Sequence, residues 1–352
     1  MYKVGVCGHF GFGDKPADGQ IDKTRAVWTA LRKALGDDQV AALDTKGWKK
    51  NPLKLLADCY KLIKECDNVI MMPARGAVKV FPALFGYMNR QMDKKLHYVV
   101  VGGWLPEILK NNSALCGHIS RLDRVYVELH PMEESLRELG LDNVVYMPNF
   151  RETNSLRPDE LVYTSCEPYR LCTFSRVTPE KGIEKAIDAV RYANNTLGRT
   201  AYTLDIYGKV APEYSEEFSR LCERFEPYIQ YKGFVDTNDS TQELKSCFAL
   251  LFPTSYSGEG FAGTVIDAFA AGIPVIATDW NYNSHIIRNG TDGIVYDPNA
   301  DGLLGKILVD VAKYPHKLNN MKKNCLERAA HFEADKAVKI LLKELEKEAV
   351  TV

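Results

Sequence analysis

Short apolar, β-branched runs alternate along this chain with longer runs in which apolar residues recur every three to four positions. In the first half the short runs lie at 3–7, 40–43, 69–72 and 96–101, and amphipathic runs at 23–35 and 53–65. The short runs predict strands and the longer ones helices, and their alternation predicts a parallel sheet covered by helices. Residues 148–168 break the pattern with Pro148, Asn149, Arg157, Pro158, Asp159, Glu167 and Pro168, a polar stretch that reads as a linker. A second series follows, with strands at 170–175, 202–207, 248–252 and 274–277 and a helix at 183–196. The expected architecture is therefore α/β, with two successive doubly wound parallel-sheet domains at 1–165 and 166–332. The last run, 333–348, sets Ala337, Val338, Ile340, Leu341, Leu342 and Leu345 between charges at near-helical spacing, so it must pack on something.

Length agrees, because 352 residues exceed what one hydrophobic core usually organises. The 45 basic and 46 acidic residues leave a net charge of −1, which gives no reason to expect a nucleic-acid partner. Nine cysteines without a C-x-x-C pair indicate neither a disulfide framework nor a zinc site and suit a reducing compartment. Met1 leads directly into an apolar strand with no basic-then-apolar leader, and no apolar run approaches the ~20 residues that span a bilayer. The expectation is a soluble cytoplasmic protein, with peripheral association at the inner face of the cytoplasmic membrane left open.

The first strand runs into Gly8-His9-Phe10-Gly11-Phe12-Gly13, where glycines let backbone N–H groups approach a phosphate or a sugar. The spacing is G-x-x-G-x-G, and about ten residues separate it from a helix start expected near Lys23, unlike dinucleotide binders. Asp44, after the second strand, nevertheless keeps a nicotinamide-dependent oxidoreductase as an alternative. In the second domain, Ser175-Arg176-Val177-Thr178-Pro179-Glu180-Lys181-Gly182 places two cations five residues apart between a strand end and a helix. That arrangement suits a diphosphate, since a guanidinium holds two phosphate oxygens while an ammonium acts as a point charge.

The most informative segment is Pro253-Thr254-Ser255-Tyr256-Ser257-Gly258-Glu259-Gly260-Phe261-Ala262-Gly263-Thr264, continuing as Val265-Ile266-Asp267-Ala268-Phe269-Ala270-Ala271-Gly272-Ile273-Pro274. A buried strand ends in a glycine-rich turn holding Glu259, and a helix then starts against whatever the turn binds. Two carboxylates eight residues apart, Glu259 and Asp267, can accept hydrogen bonds from two hydroxyl-bearing groups.

EGFAGTVIDAFAAGIPVIATD resembles the E-x7-E signature of glycosyltransferase family four, retaining enzymes of the GT-B fold. The loop after strand one, Tyr146-Met147-Pro148-Asn149 and the S-R-V-T-P-E-K-G segment fall in that family's order. The resemblance implies two Rossmann-like domains facing a cleft, with residues 333–352 crossing back to the first domain, and a role in bacterial polysaccharide or glycan assembly. It implies that Arg176 and Lys181 neutralise the donor diphosphate, and that Glu259 with the backbone of Gly260, Phe261, Ala262, Gly263 and Thr264 holds the transferred sugar. Asp267 would take the ribose. Gly208, Gly233 and Phe234 would lie near the base, and Gly11 and Gly13 would complete the donor site. His9, Arg75 and His130 are acceptor-side candidates, although His130 could instead cap the helix it precedes. His285 stands where such proteins often have an acidic residue, and reads as a surface helix position.

Two positions depart from the pattern, Asp267 in place of glutamate and Ala262 in place of glycine. The implied activity is metal-independent, retaining transfer of a hexose-type sugar from a UDP- or GDP-linked donor to a glycan, lipid-linked or other hydroxyl acceptor, with no cofactor. No D-x-D metal motif occurs. A catalytically silent nucleotide-sugar-binding protein is the other alternative.

Overall fold

A computed structural model describes residues 2–13 and 19–346, which form two compact units. The first comprises Met1–Arg151, Gly258–Phe261 and Glu333–Val352, and the second Glu152–Ser257 and Ala262–Phe332.

In the first unit six parallel strands run in the order β2-β1-β3-β4-β5-β6. They are β1 (Tyr2–Gly8), β2 (Val40–Asp44), β3 (Cys66–Met72), β4 (Lys95–Val99), β5 (Arg124–Val127) and β6 (Val144–Tyr146). Val4, Val6 and Val69 to Met72 are sealed from solvent because helices cover both faces, which is why these strands read as continuous apolar runs. The helix Ala334–Glu346 belongs to this unit: Ala337, Val338, Leu341 and Leu345 share a core with Phe10, Val27, Leu31, Met147 and Phe150. Arg124 Nε reaches Glu344 Oε2 at 2.6 Å beside that core.

The second unit holds β7 (Tyr169–Phe174), β8 (Tyr202–Tyr207), β9 (Ile229–Gly233), β10 (Ala249–Phe252), β11 (Val275–Thr278) and β12 (Gly293–Tyr296). All six are parallel, in the order β12-β11-β10-β7-β8-β9. The connection order reverses between β7 and β10, as it does between β1 and β3 in the first unit. Crevices for ligands open outside the carboxyl ends of strands at such reversals.

The structure departs from the sequence reading in three places. The first helix begins at Gly19, four residues before Lys23, because polar Gln20 and Asp22 open it ahead of the amphipathic stripe. Residues 152–165 pack in the second unit, since Leu156 N donates to Ala270 O at 2.9 Å and Asn319 Nδ2 donates to Thr164 O at 2.8 Å. Strands β5, β6, β9 and β12 were not read from the sequence: β6 is only three residues long, and edge strand β9 exposes Gln230, Tyr231 and Lys232. All nine cysteines are free thiols. Among the described residues no helix is long and apolar enough to cross a membrane.

Candidate functional site

At the reversal in the second sheet, the turn after β7 carries Arg176 and the turn after β10 carries Pro253 to Ser257. Two glycines let the turns close. Gly208, at φ 141°, lies so near the Ser175 carbonyl that an added β-carbon would sit 1.7 Å from its oxygen. Gly182, at φ 73°, stands in the same relation to the Pro253 carbonyl oxygen, at 2.1 Å. Only a residue without a β-carbon fits either place.

Backbone bonds lock the turns together. Ser255 N donates to Glu180 O at 2.7 Å, and Gly208 N donates to Gly233 O at 2.8 Å. Thr278 Oγ1 donates to Thr254 O at 2.7 Å and Trp280 Nε1 to Tyr256 O at 2.8 Å. On this frame Arg176 is exposed, while the Lys181 ammonium stands 5.6 Å and 5.2 Å from the ring centroids of Phe252 and Tyr256. The Glu180 carboxyl between them is held below its ordinary range. Its own backbone N–H and the Thr178 hydroxyl contribute most, and the positive field of Arg176 and Lys181 adds to this.

The helix Gly263–Ala270 begins with no side-chain cap on its first amides. Thr264 Oγ1 is buried at that end and finds no hydrogen-bond partner among the described residues, so this helix start is polar and unsatisfied. Phe234 is 43% exposed beyond Gly233. Asp267 lies inside the unit, 0% exposed, where Ser240 Oγ donates to Oδ1 at 3.2 Å. The carboxylate named for the ribose is thus enclosed within the unit. His285 is exposed in the short helix Asn283–Ile286.

In the first unit the reversal lies between the ends of β1 and β3, which brings the glycine loop with His9, Gly11 and Gly13 to the same edge as the exposed Arg75. Asp44 Oδ1 accepts from Phe10 N at 3.0 Å and Lys46 N at 2.9 Å, and Oδ2 accepts from Phe12 N at 3.2 Å. Arg25 holds the other side, donating to Phe10 O at 2.8 Å and Gly11 O at 2.6 Å. The carboxylate that kept the nicotinamide alternative open is thus occupied in shaping the glycine loop. His130 does not cap the helix His130–Glu138, whose N-cap is Leu129. It is the first helical residue, stacked 3.8 Å from the Tyr146 ring with Nδ1 3.2 Å from Glu133 Oε2.

Gly258–Phe261 groups with the first unit, and Glu259 within it is 6% exposed. Its setting includes residues that sequence reasoning missed. Lys23 Nζ lies 3.2 Å from Glu128 Oε1, with both side chains nearly sealed, and donates to Asn149 Oδ1 at 2.8 Å. Asn149 Nδ2 in turn donates to Phe261 O at 2.8 Å. Nothing in the linear pattern marked Lys23, a cation on an otherwise ordinary amphipathic helix. Among the described residues no group of His, Cys, Asp and Glu could hold a metal ion.

Residues 165–328 match the family model for glycosyl transferases group 1. The UDP-N-acetylglucosamine–peptide N-acetylglucosaminyltransferase GtfA subunit of Streptococcus gordonii is 30% identical over 155 residues, 43% of this chain and only 29% of that longer protein. Among solved structures, Anabaena Alr3699/HepE in complex with UDP and glucose superposes with TM-score 0.73 at 15% identity, covering 98% of this chain and 99% of that one. The pneumococcal O-GlcNAc transferase GtfA in complex with UDP and GlcNAc gives TM-score 0.63 at 19% identity over 83% of this chain and 59% of the other. Residues 165–328, somewhat under half of the chain, are therefore similar to glycosyl transferases group 1, and the two α/β units have the GT-B fold.

Proposed function

We propose that this chain is a metal-independent, retaining glycosyltransferase that moves a hexose-type sugar from a nucleoside diphosphate donor to a hydroxyl acceptor on a glycan or lipid-linked carrier. The observation that carries the reading is the pair Arg176 and Lys181 at the strand-order reversal of the second sheet, on turns closed by Gly208 and Gly182. Breaking the anomeric carbon–phosphate bond leaves growing negative charge on the departing diphosphate. Cations fixed beside it lower the barrier without a metal, because their orientation is set before reaction. The unsatisfied start of the helix Gly263–Ala270, with Thr264, adds partial positive charge and donors on the same unit.

In this reading Glu259 and the backbone of residues 260–263 receive the sugar, and Gly233 and Phe234 lie toward the base. Asp267 supports the site from inside through Ser240. Gly11 and Gly13 of the glycine loop complete the donor site, and His9, Arg75 and His130 face the acceptor. UDP is the favoured nucleotide, because solved relatives of the same fold are complexes with UDP or UDP-glucose. No side chain is assigned as a covalent nucleophile; the acceptor attacks on the face the phosphate leaves.

Attachment to an anionic membrane surface at the cytoplasmic face is part of the proposal. The helix Pro52–Glu65 exposes Leu53, Leu56 and Tyr60 along one side, flanked by exposed Lys49, Lys50, Lys54, Lys61 and Lys64. The activity is tested by thermal unfolding with UDP, GDP, ADP and NAD in turn, followed by turnover of the matching sugar donors. A ligand at 100 times its Kd raises native stability by about 2.7 kcal/mol. A shift with NAD alone would overturn the proposal.

A further inference from the structure

The Lys23–Glu128 pair is nearly sealed from water inside the first unit, with side-chain exposures of 4% and 6%. Burying two charges is expensive, and the attraction between them seldom does more than offset that cost, so stability alone does not account for the pair. What the pair does touch is the Gly258–Phe261 segment. Burial pushes the Glu128 carboxyl up, while Lys23 and a hydrogen bond from the Phe261 backbone N–H pull it back. Asn149 grips the other side of that residue: its Oδ1 accepts from Lys23 Nζ and its Nδ2 donates to the Phe261 carbonyl. Lys23 Nζ also stands 4.2 Å from the Phe150 ring centroid, and Asn149 Oδ1 accepts from Phe150 N at 2.9 Å, so neither partner is free to turn away. On the far side of the loop, a β-carbon on Gly260 would come within 2.8 Å of the Gly102 and Gly103 backbone. The segment is therefore clamped between the turn after β4 and a three-residue polar cluster that holds both the N–H and the C=O of Phe261.

We propose that Lys23, Glu128 and Asn149 are positioning residues that fix Gly258–Phe261 in the form that receives the donor sugar. The proposal rests on the transferase reading for the sugar's place, whereas the clamp itself is a property of this unit. The two cations assigned to the diphosphate lie on other turns, so loosening the clamp separates sugar positioning from nucleotide binding. A misplacement of about 1 Å at a reacting group lowers turnover by on the order of 100-fold.

The test uses the full chain, a Lys23→Met/Glu128→Leu double variant, which replaces the pair by apolar residues of similar volume and leaves no lone buried charge, and an Asn149→Ser variant, which spares the ion pair. Amide hydrogen exchange at Gly260 and Phe261, UDP affinity, and kcat with the sugar donor are measured on each. The expected result is faster exchange at Phe261 in both variants, UDP Kd within about twofold of wild type, and kcat lowered on the order of 100-fold in the double variant. Unchanged exchange at Phe261 in Asn149→Ser overturns the clamp, including if the double variant does not fold. Faster exchange with wild-type kcat in either variant overturns its role in positioning. Failure of the transferase reading is distinct: the wild-type chain itself then turns over no sugar donor, while exchange at Phe261 still reports whether the clamp exists.

Discussion

The α-carbon of Gly208 abuts the carbonyl oxygen of Ser175, the residue before Arg176, leaving a β-carbon only 1.7 Å of separation. This contact lets the turns after β7 and β8 close on each other and presents Arg176 at the reversal of the sheet.

Substituting that glycine separates the turns. Gly208→Ala combines an overlap with backbone and a φ of 141° that alanine rarely adopts, so stability falls by at least about 1–3 kcal/mol in urea unfolding. Gly117→Ala is the contrast: it lies in the helix Ser113–Ile119 with nothing within 4 Å of the added carbon, and gains up to about 1 kcal/mol. Equal effects at the two sites would contradict the packing argument.

Arg176→Ala and Lys181→Ala each lower turnover of the sugar donor by on the order of 10²–10³. Arg176 is exposed, so its removal leaves the unfolding midpoint close to wild type. Steady-state kinetics and thermal melts on the same preparations separate lost catalysis from lost folding, and wild-type kcat in both variants would remove them from the proposed mechanism.

In the proposed mechanism cations stand in place of a metal, so prolonged incubation with EDTA leaves kcat unchanged and added magnesium or manganese does not raise it. A loss of activity on chelation, restored by one divalent ion, would reassign charge stabilisation to a metal.

His97 gives the fold a pH dependence that can be isolated. It is sealed in the first unit, with Nε2 3.2 Å from Asn68 Oδ1 and Nδ1 3.2 Å from the Tyr126 hydroxyl. Burial first, then Lys95 and Arg124, push its pKa down from 6.5 to about 3, against a smaller upward pull from Glu344. The native state therefore stays neutral where the unfolded chain takes a proton. The stabilising contribution is full above pH 6.5 and is lost as pH falls toward 3. Between pH 6.5 and pH 5 the loss is about 2 kcal/mol. Denaturant titrations of wild type and His97→Gln across that range show a smaller acid-side slope in the variant.

Membrane attachment is checked by sedimentation with phosphatidylcholine vesicles, with and without phosphatidylglycerol. Binding requires the anionic lipid, weakens with salt, and drops when Leu53 and Leu56 are both changed to serine. Equal recovery with both vesicle types excludes this face as the attachment surface.

The sequence by itself determined the parts that depend on local chemistry. Apolar runs mark a strand where helices cover its faces, so β1, β3, β4, β7, β8, β10 and β11 were legible, as were the short half-buried β2 and the last helix with its apolar stripe. Arg176, Lys181 and the glycine-rich turn at 258–263 stood out by their spacing, and the roles proposed for them rest on that spacing and on the turns that carry them. Tertiary structure alone decided what distant segments do for each other. Asp44 looked like a ribose carboxylate and is instead the anchor of the Phe10 and Phe12 amides, 34 and 32 residues away in the chain. Asp267 was read as the carboxylate that takes the ribose and is enclosed beside Ser240. The Lys23, Glu128 and Asn149 cluster joins positions up to 126 residues apart and reaches Phe261, a further 112 residues on. No local pattern records such a cluster, because a buried polar network is specified by partners that only folding brings within hydrogen-bond reach.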